Sequence, residues 1–227
     1  MQMKDFKDHL RRNSFTRFGP LPRKYDKLIW NDPISMNLKS SGELLKLEQM
    51  KPPMDDESLA ELMQLKERMK NISKEELSFA IDSERREVEM YAEFGRSIGI
   101  DSSKEYVDEI FDFTDPILYH LKKLHDRARP EQLARRYAVD FRVLIDHEAN
   151  HPAYPSGHSY DSRVMEYIFS GIRPSKKEEI QDFCKRMSDS RMNVGLHYPT
   201  DIEMGFILAD EVIKTGLLDI FMERLSE

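Results

Sequence analysis

The chain has 227 residues and a formal net charge of −7, long enough for one domain with a sizeable core and of the wrong sign for a protein that tracks nucleic acid. Charged residues make up 34% and no apolar run approaches the roughly 20 residues that cross a bilayer, so no integral membrane association is expected. Cys184 is the single cysteine, which rules out an intramolecular disulfide, and the stretch after Met1 lacks the apolar core of a secretory leader, so a cytoplasmic location is expected.

Residues 1–40 mix basic residues with Pro20, Pro22 and Pro33 and show little periodicity. They read as an irregular arm lying on a single all-helical domain that runs from 41 to 227. Asp56 to Asn71 has the stripe of an amphipathic helix. Ser73 and Glu76 form a capping box at the head of a second helix that runs to Gly95 or Gly99. Ser103 to Ala128 predicts one or two helices, with Pro116 as the point of interruption. The best strand candidate is the short run 142–146, Arg-Val-Leu-Ile-Asp. Beyond His158, Tyr160, Val164, Tyr167 and Ile168 recur at helical spacing until Gly171. Pro174, Ser175 and Glu178 start another helix with a stripe of Ile180, Phe183, Cys184, Met187, Arg191 and Val194, which Gly195 ends. Pro199, Thr200 and Glu203 start the last, with Ile202, Phe206, Ala209 and Ile213 on one face. The class is all-α, a compact helical bundle with short loops.

Between the third and fourth of these stretches lies His147-Glu148-Ala149-Asn150-His151, which fits the H-E-x-x-H pattern of zinc proteases. Pro152 follows directly and pushes His151 out of the α region, and Pro155 prevents a quick restart. The two histidines are therefore expected in a loop, and no metal site is assigned.

Several basic residues sit where cations are costly. Arg191 interrupts an apolar stripe, which calls for a structural ion pair or for a bound anion. Lys122 and Arg129 are seven apart, two helical turns, and so share a face; Arg127 and Lys123 are expected at the surface. His197 precedes a helix that carries Asp201. That carboxylate can stabilise the helix start, and it can hold one ring nitrogen of His197 so that the other is a nucleophile. Ser156-Gly157-His158 opens a helix, whose N-terminus offers free N–H groups to an anion while Ser156 can serve as a plain N-cap.

Taken in order, Lys122 to Pro130 gives K-x6-R-P, Pro155 to His158 gives P-S-G-H, and Ser190 to Asp201 gives S-R-x5-H-x3-D. The three blocks resemble the signature of the type-2 phosphatidic acid phosphatase superfamily, which includes bacterial acid phosphatases, membrane lipid phosphatases and vanadium haloperoxidases. The resemblance covers Lys122 to Asp201. It implies that His197 attacks phosphorus and forms a phosphohistidine, that Asp201 orients it, and that His158 protonates the leaving oxygen. It implies further that Lys122, Arg129 and Arg191 bind the phosphoryl oxygens, with Ser156 and the Gly157 N–H completing the cradle. Two guanidinium forks and an ammonium suit an anion whose transfer depends on positioning and charge stabilisation, and with three fixed cations no cofactor is required. The expected function is that of a soluble, metal-independent phosphatase acting on a small phosphorylated substrate. The alternative is a haloperoxidase in which vanadate, otherwise an inhibitor, is the prosthetic group.

Overall fold

In the computed structural model, which describes residues 32–147 and 151–225, the chain enters its first helix at an Asp-Pro step. Asp32 caps α1 (Pro33–Ser41) by accepting from Ser35 N at 2.9 Å, and Pro33 supplies a first-turn φ at a position whose N–H needs no partner. Ile34 and Leu38 are buried in the main core, and α1 packs on two later helices. Residues 33–40 are thus part of the bundle and not the irregular arm that composition predicts; residues 1–31 lie outside the described residues.

After α2 (Glu43–Gln49) comes α3 (Asp55–Met69), the helix expected there. The predicted run from Ser73 is divided into α4 (Lys74–Arg85) and α5 (Glu87–Ser97), with Arg86 at φ −139° and ψ 33° between them. The capping box of Ser73 and Glu76 is formed. Nothing in Ser-Glu-Arg-Arg-Glu disfavours a helix. The two halves dock on different partners, α4 on α9 and α5 on α6, and that redirects the chain.

The opposite happens in α6 (Lys104–His125), which continues through Pro116. A proline inside a helix costs about 3 kcal/mol. The apolar stripe of Val107, Ile110, Phe111, Ile117, Leu118 and Leu121 is buried along the whole length and outweighs it. α6 ends with Asp126 in the left-handed region at φ 44°. Arg129 therefore lies beyond the helix, as the residue before α7 (Pro130–Arg136), and does not share a helical face with Lys122.

Run 142–146 is not a strand; no strand occurs among the described residues. Val143 and Ile145 instead pack on Val194 and Leu196, and Leu144 N donates to Val194 O at 3.1 Å. Branched side chains here cover the turn after α9, because no second strand is beside them to form a ladder.

The remaining helices are α8 (Gly157–Ile172), α9 (Lys177–Asn193, after a 3-10 turn Pro174–Lys176), α10 (Pro199–Lys214) and α11 (Leu217–Leu225). α8 lies against both α9 and α10, so the second and third blocks of the signature meet. Gly205 permits the tightest of these approaches: a Cβ there would lie 2.7 Å from the backbone oxygen of Ser156. At the end of α9, Gly195 takes φ +83°, packed against Met69 and Phe141 where a Cβ would collide. That turn delivers His197. No helix of the described residues is long and apolar enough to cross a membrane.

Candidate active site

A cavity of about 260 Å³ is lined by Lys122, Arg129, Gly157, His158, Arg191 and His197, together with His151, Glu84, Glu87, Asp115 and Asp161. The cations and imidazoles named from the sequence therefore share one space. A slightly larger hollow of about 290 Å³ between Arg68, Phe79 and Arg186 contains none of them.

His197 is buried at the floor. Its Nδ1 lies 3.1 Å from Asp201 Oδ2 and its Nε2 3.2 Å from Arg129 Nη1. A guanidinium only donates, so Nε2 is the ring's acceptor and Nδ1 carries the proton that faces Asp201. The lone pair that a nucleophile needs is on the cavity side. Burial, then the charges of Arg129, Lys122 and Arg191, push the His197 imidazole well below its usual range, which favours its neutral form.

Asp201 is held from behind. Its Oδ2 accepts from Tyr198 N at 2.9 Å and its Oδ1 from Arg127 Nη1 at 2.5 Å. Burial pushes this carboxyl up; the Arg127 guanidinium and the Tyr198 N–H oppose that. Arg127, expected at the surface, is 6% exposed. It donates to Glu61 Oε2 at 2.6 Å, Ser58 Oγ at 2.8 Å and Thr200 Oγ1 at 2.7 Å, and lies 4.0 Å over the Tyr198 ring. A single arginine in a basic stretch has no sequence signal that separates it from a solvated one; the partners are 66 to 74 residues away.

The three anion-binding candidates are firmly engaged. Lys122, 1% exposed, donates to the carbonyls of Pro152 at 3.1 Å and Pro155 at 2.5 Å. Arg129 donates from Nε to His151 O at 3.0 Å, from Nη1 to Leu196 O at 3.1 Å, and faces His151 Nδ1 from Nη2 at 3.2 Å. Arg191 donates from Nε to Ser190 Oγ at 3.0 Å, from Nη1 to Glu84 Oε2 at 2.6 Å, and from Nη2 to Ala80 O and Ser83 Oγ. Among the described partners, each of the three retains one N–H for the cavity, since an ammonium has three and a guanidinium five. Three converging donors match the three equatorial oxygens of a transferring phosphoryl group. Burial, with Arg129 beside it, pushes the Lys122 ammonium down to about 7, and burial pushes Arg129 down to about 10; an anion in the cavity favours the charged form of both.

Ser156 and Gly157 divide the role given to them jointly. The Ser156 hydroxyl is fully buried and does not line the cavity; it caps α8, accepting from Ser159 N at 3.4 Å and Ser159 Oγ at 3.0 Å. Its position is a consequence of cap geometry. Gly157 does line the cavity, and the first-turn N–H groups of α8 have no helical acceptors. His158 is placed with Nε2 3.1 Å from Ser83 O and Nδ1 3.4 Å from Glu87 Oε2.

Of the loop histidines, His151 lines the cavity and His147 an adjoining hollow. Neither lies on a helix, in keeping with the effect of Pro152; Glu148 lies outside the described residues. No group of three or more His, Cys, Asp and Glu is arranged to hold a metal among the described residues. The acidic side of the cavity, Glu84, Glu87, Asp115 and Asp161, had no sequence signature. Its residues come from four helices, and their shared position exists only in the folded chain. Burial, then Glu87 and Asp115, push the Asp161 carboxyl well above its usual range.

Residues 113–214 match the family profile described as the PAP2 superfamily. A non-specific acid phosphatase of Salmonella typhi is 25% identical over 107 residues, a match that covers 41% of this chain and 43% of that protein's length. The chain thus spans less than half of that relative. Among solved structures, that of the first transmembrane PAP2 type phosphatidylglycerolphosphate phosphatase from Bacillus subtilis has the same fold, with a TM-score of 0.52 and 19% identity over 83% of this chain and 96% of that one.

Proposed function

From the match of residues 113–214 to the PAP2 superfamily we propose that the chain is a metal-independent phosphatase that hydrolyses phosphate monoesters through a phosphohistidine on His197. The observation that carries this reading is the orientation of His197. Its Nδ1 faces Asp201 at 3.1 Å, and its Nε2 opens on the cavity that holds Lys122, Arg129 and Arg191. A ring held in this tautomer has its nucleophilic lone pair on Nε2, which becomes available to phosphorus as Arg129 Nη1 turns from it to a phosphoryl oxygen. The three cations take the charge that develops on the phosphoryl oxygens. As the phosphohistidine forms, the ring becomes positive and the ionised Asp201 stabilises it. His158 gives the leaving oxygen its proton and takes one from the water that cleaves the phosphohistidine. The small cavity suits a phosphoryl group with a short alcohol more than a bulky one.

The test is hydrolysis of p-nitrophenyl phosphate at mildly acidic pH with EDTA present. Turnover is expected to survive chelation, to be inhibited by vanadate, and to vanish in His197→Ala while the helical circular dichroism stays. Loss of activity on chelation and its return with a divalent ion would point to a metal hydrolase. Peroxide-dependent bromide oxidation after vanadate loading, without ester hydrolysis, would support the haloperoxidase alternative.

A further inference from the structure

His158 raises a proton-counting problem that points to a residue outside the signature. Its Nε2 lies 3.1 Å from the Ser83 carbonyl oxygen, which only accepts, so Nε2 carries a hydrogen. Its Nδ1 lies 3.4 Å from Glu87 Oε2. If the imidazole is neutral, Nδ1 is a bare acceptor, and a carboxylate beside it would set two acceptors face to face. The contact favours one proton between them, on Nδ1 as an imidazolium or on Oε2 as a carboxylic acid. Among the described residues Glu87 Oε1 is buried without a hydrogen bond, which is far less costly for the carbonyl oxygen of an acid than for half of a carboxylate, and the Arg191 charge is the neighbour that favours the ionised form.

We propose that Glu87 is a positioning residue that fixes the His158 ring and keeps with it the proton destined for the leaving oxygen. The proposal rests on the phosphatase reading of the site and supplies what that reading leaves open, the source of the acid. When the ester P–O bond breaks, the leaving oxygen takes the proton from His158 Nδ1, and the pair is left as a neutral imidazole and a carboxylate. The water that attacks the phosphohistidine then returns one proton to Nδ1, and the pair is restored.

The surroundings act on the two members in opposite directions. Burial, then the Arg191 charge with Arg129 adding to it, push the His158 imidazole well below its usual range, and its hydrogen bond to the Ser83 carbonyl opposes them. Burial pushes Glu87 up to about 8, with Asp115 of α6 and Glu84 of α4 adding to it and Arg191 of α9 opposing. The Glu87 charge also helps to raise Asp161 of α8, a further carboxyl on this side of the cavity. The raised carboxyl and the lowered imidazole bring the proton affinities of the two members towards each other, so that one proton is held beside the leaving oxygen more firmly than an ordinary carboxyl would hold it.

The experiment compares wild type with Glu87→Gln on two esters, p-nitrophenyl phosphate, whose leaving group needs no proton, and a simple alkyl phosphate, whose leaving group does. In Glu87→Gln the alkyl ester is expected to lose at least about tenfold in kcat at pH 7, with KM little changed and the p-nitrophenyl ester nearly spared. The basic limb of the alkyl-ester kcat profile should move to lower pH, because His158 then titrates alone. Equal losses on both esters with an unmoved profile, or no loss on either, overturn the proposal. The His158 ring nitrogens, followed by 15N NMR, give an answer independent of turnover: an Nδ1 proton kept to higher pH in wild type than in Glu87→Gln supports the pair, and the same imidazole titration in both overturns it. Failure of the phosphatase reading itself has a different signature, a wild-type protein that hydrolyses neither ester.

Discussion

At the scale of single residues, the cavity is governed by which N–H and which lone pair remain after the fold has used the others. Arg191 is the clearest case. Its place in an apolar stripe left two explanations open, an ion pair or an anion ligand; the ion pair is formed, with Glu84, Ser83, Ala80 and Ser190 taking four of its hydrogens, and the side chain also lines the cavity. A buried charge is often worth removing, but here its loss leaves Glu84, the Ala80 carbonyl and a serine without their donor. Arg191→Ala should therefore destabilise the protein, by about 3–5 kcal/mol as for other broken buried pairs, in addition to weakening phosphate binding. Urea unfolding with the cavity empty measures it; unchanged or improved stability would mean that the network around Glu84 relaxes without cost. The same accounting explains what could not be read beforehand. Arg127 and Arg129 are two residues apart in a basic stretch, and only the distance to Asp201 separates the one that braces the carboxylate from the one that faces the imidazole.

Among the elements, the decisive contact is α8 against α10. α8 begins with the residues that frame the leaving-group side, and α10 carries Asp201 in its first turn beside His197. Gly205 lets them touch, with Ser156 O at 2.7 Å and Ser159 Cβ at 2.9 Å from where a Cβ would stand. Backbone at that distance cannot rotate aside as a long side chain can. Gly205→Ala should separate the two helix starts by a fraction of an ångström or more, and a displacement near 1 Å can cost on the order of 10²-fold in rate. kcat on p-nitrophenyl phosphate, measured well below the melting temperature of the variant, isolates that effect from lost stability; an unchanged kcat would show that the spacing of α8 and α10 is not critical. The periodic stripes of α3, α8, α9 and α10 were legible in the sequence because one-sided burial demands a 3.6-residue repeat. The break at Arg86 and the unbroken passage through Pro116 were not, because in each the docking partners override the local preference.

For the whole molecule, α1 changes the extent of the domain. Leu38 and Ile34 lie in the same core as Tyr91, Leu118 and Val212, so the bundle begins at least as early as residue 33. Leu38→Ala is expected to cost about 2–5 kcal/mol, read as a lowered urea midpoint with an unchanged m-value. A change below the error of that measurement would restore the view of an arm laid loosely on a domain that starts later. The composition of the segment concealed this, because prolines and basic residues dominate it and the helix offers only two fully buried side chains of the kind that make a stripe.

What the sequence determined by itself was the helical class and the kinds of group that the cavity would need, since helix periodicity and the spacing of Lys122, Arg129, Ser156, His158, Arg191, His197 and Asp201 are properties of the chain alone. The tertiary structure decided their states: which nitrogen of His197 is bare, that Ser156 faces inward as a cap, that Arg127 is buried behind Asp201, and that Glu84 and Glu87 stand beside Arg191 and His158. The reason is that burial and hydrogen-bond partnership join residues about 70 to 110 positions apart, and a proton's preference for one atom over another is set by those neighbours rather than by the residue type.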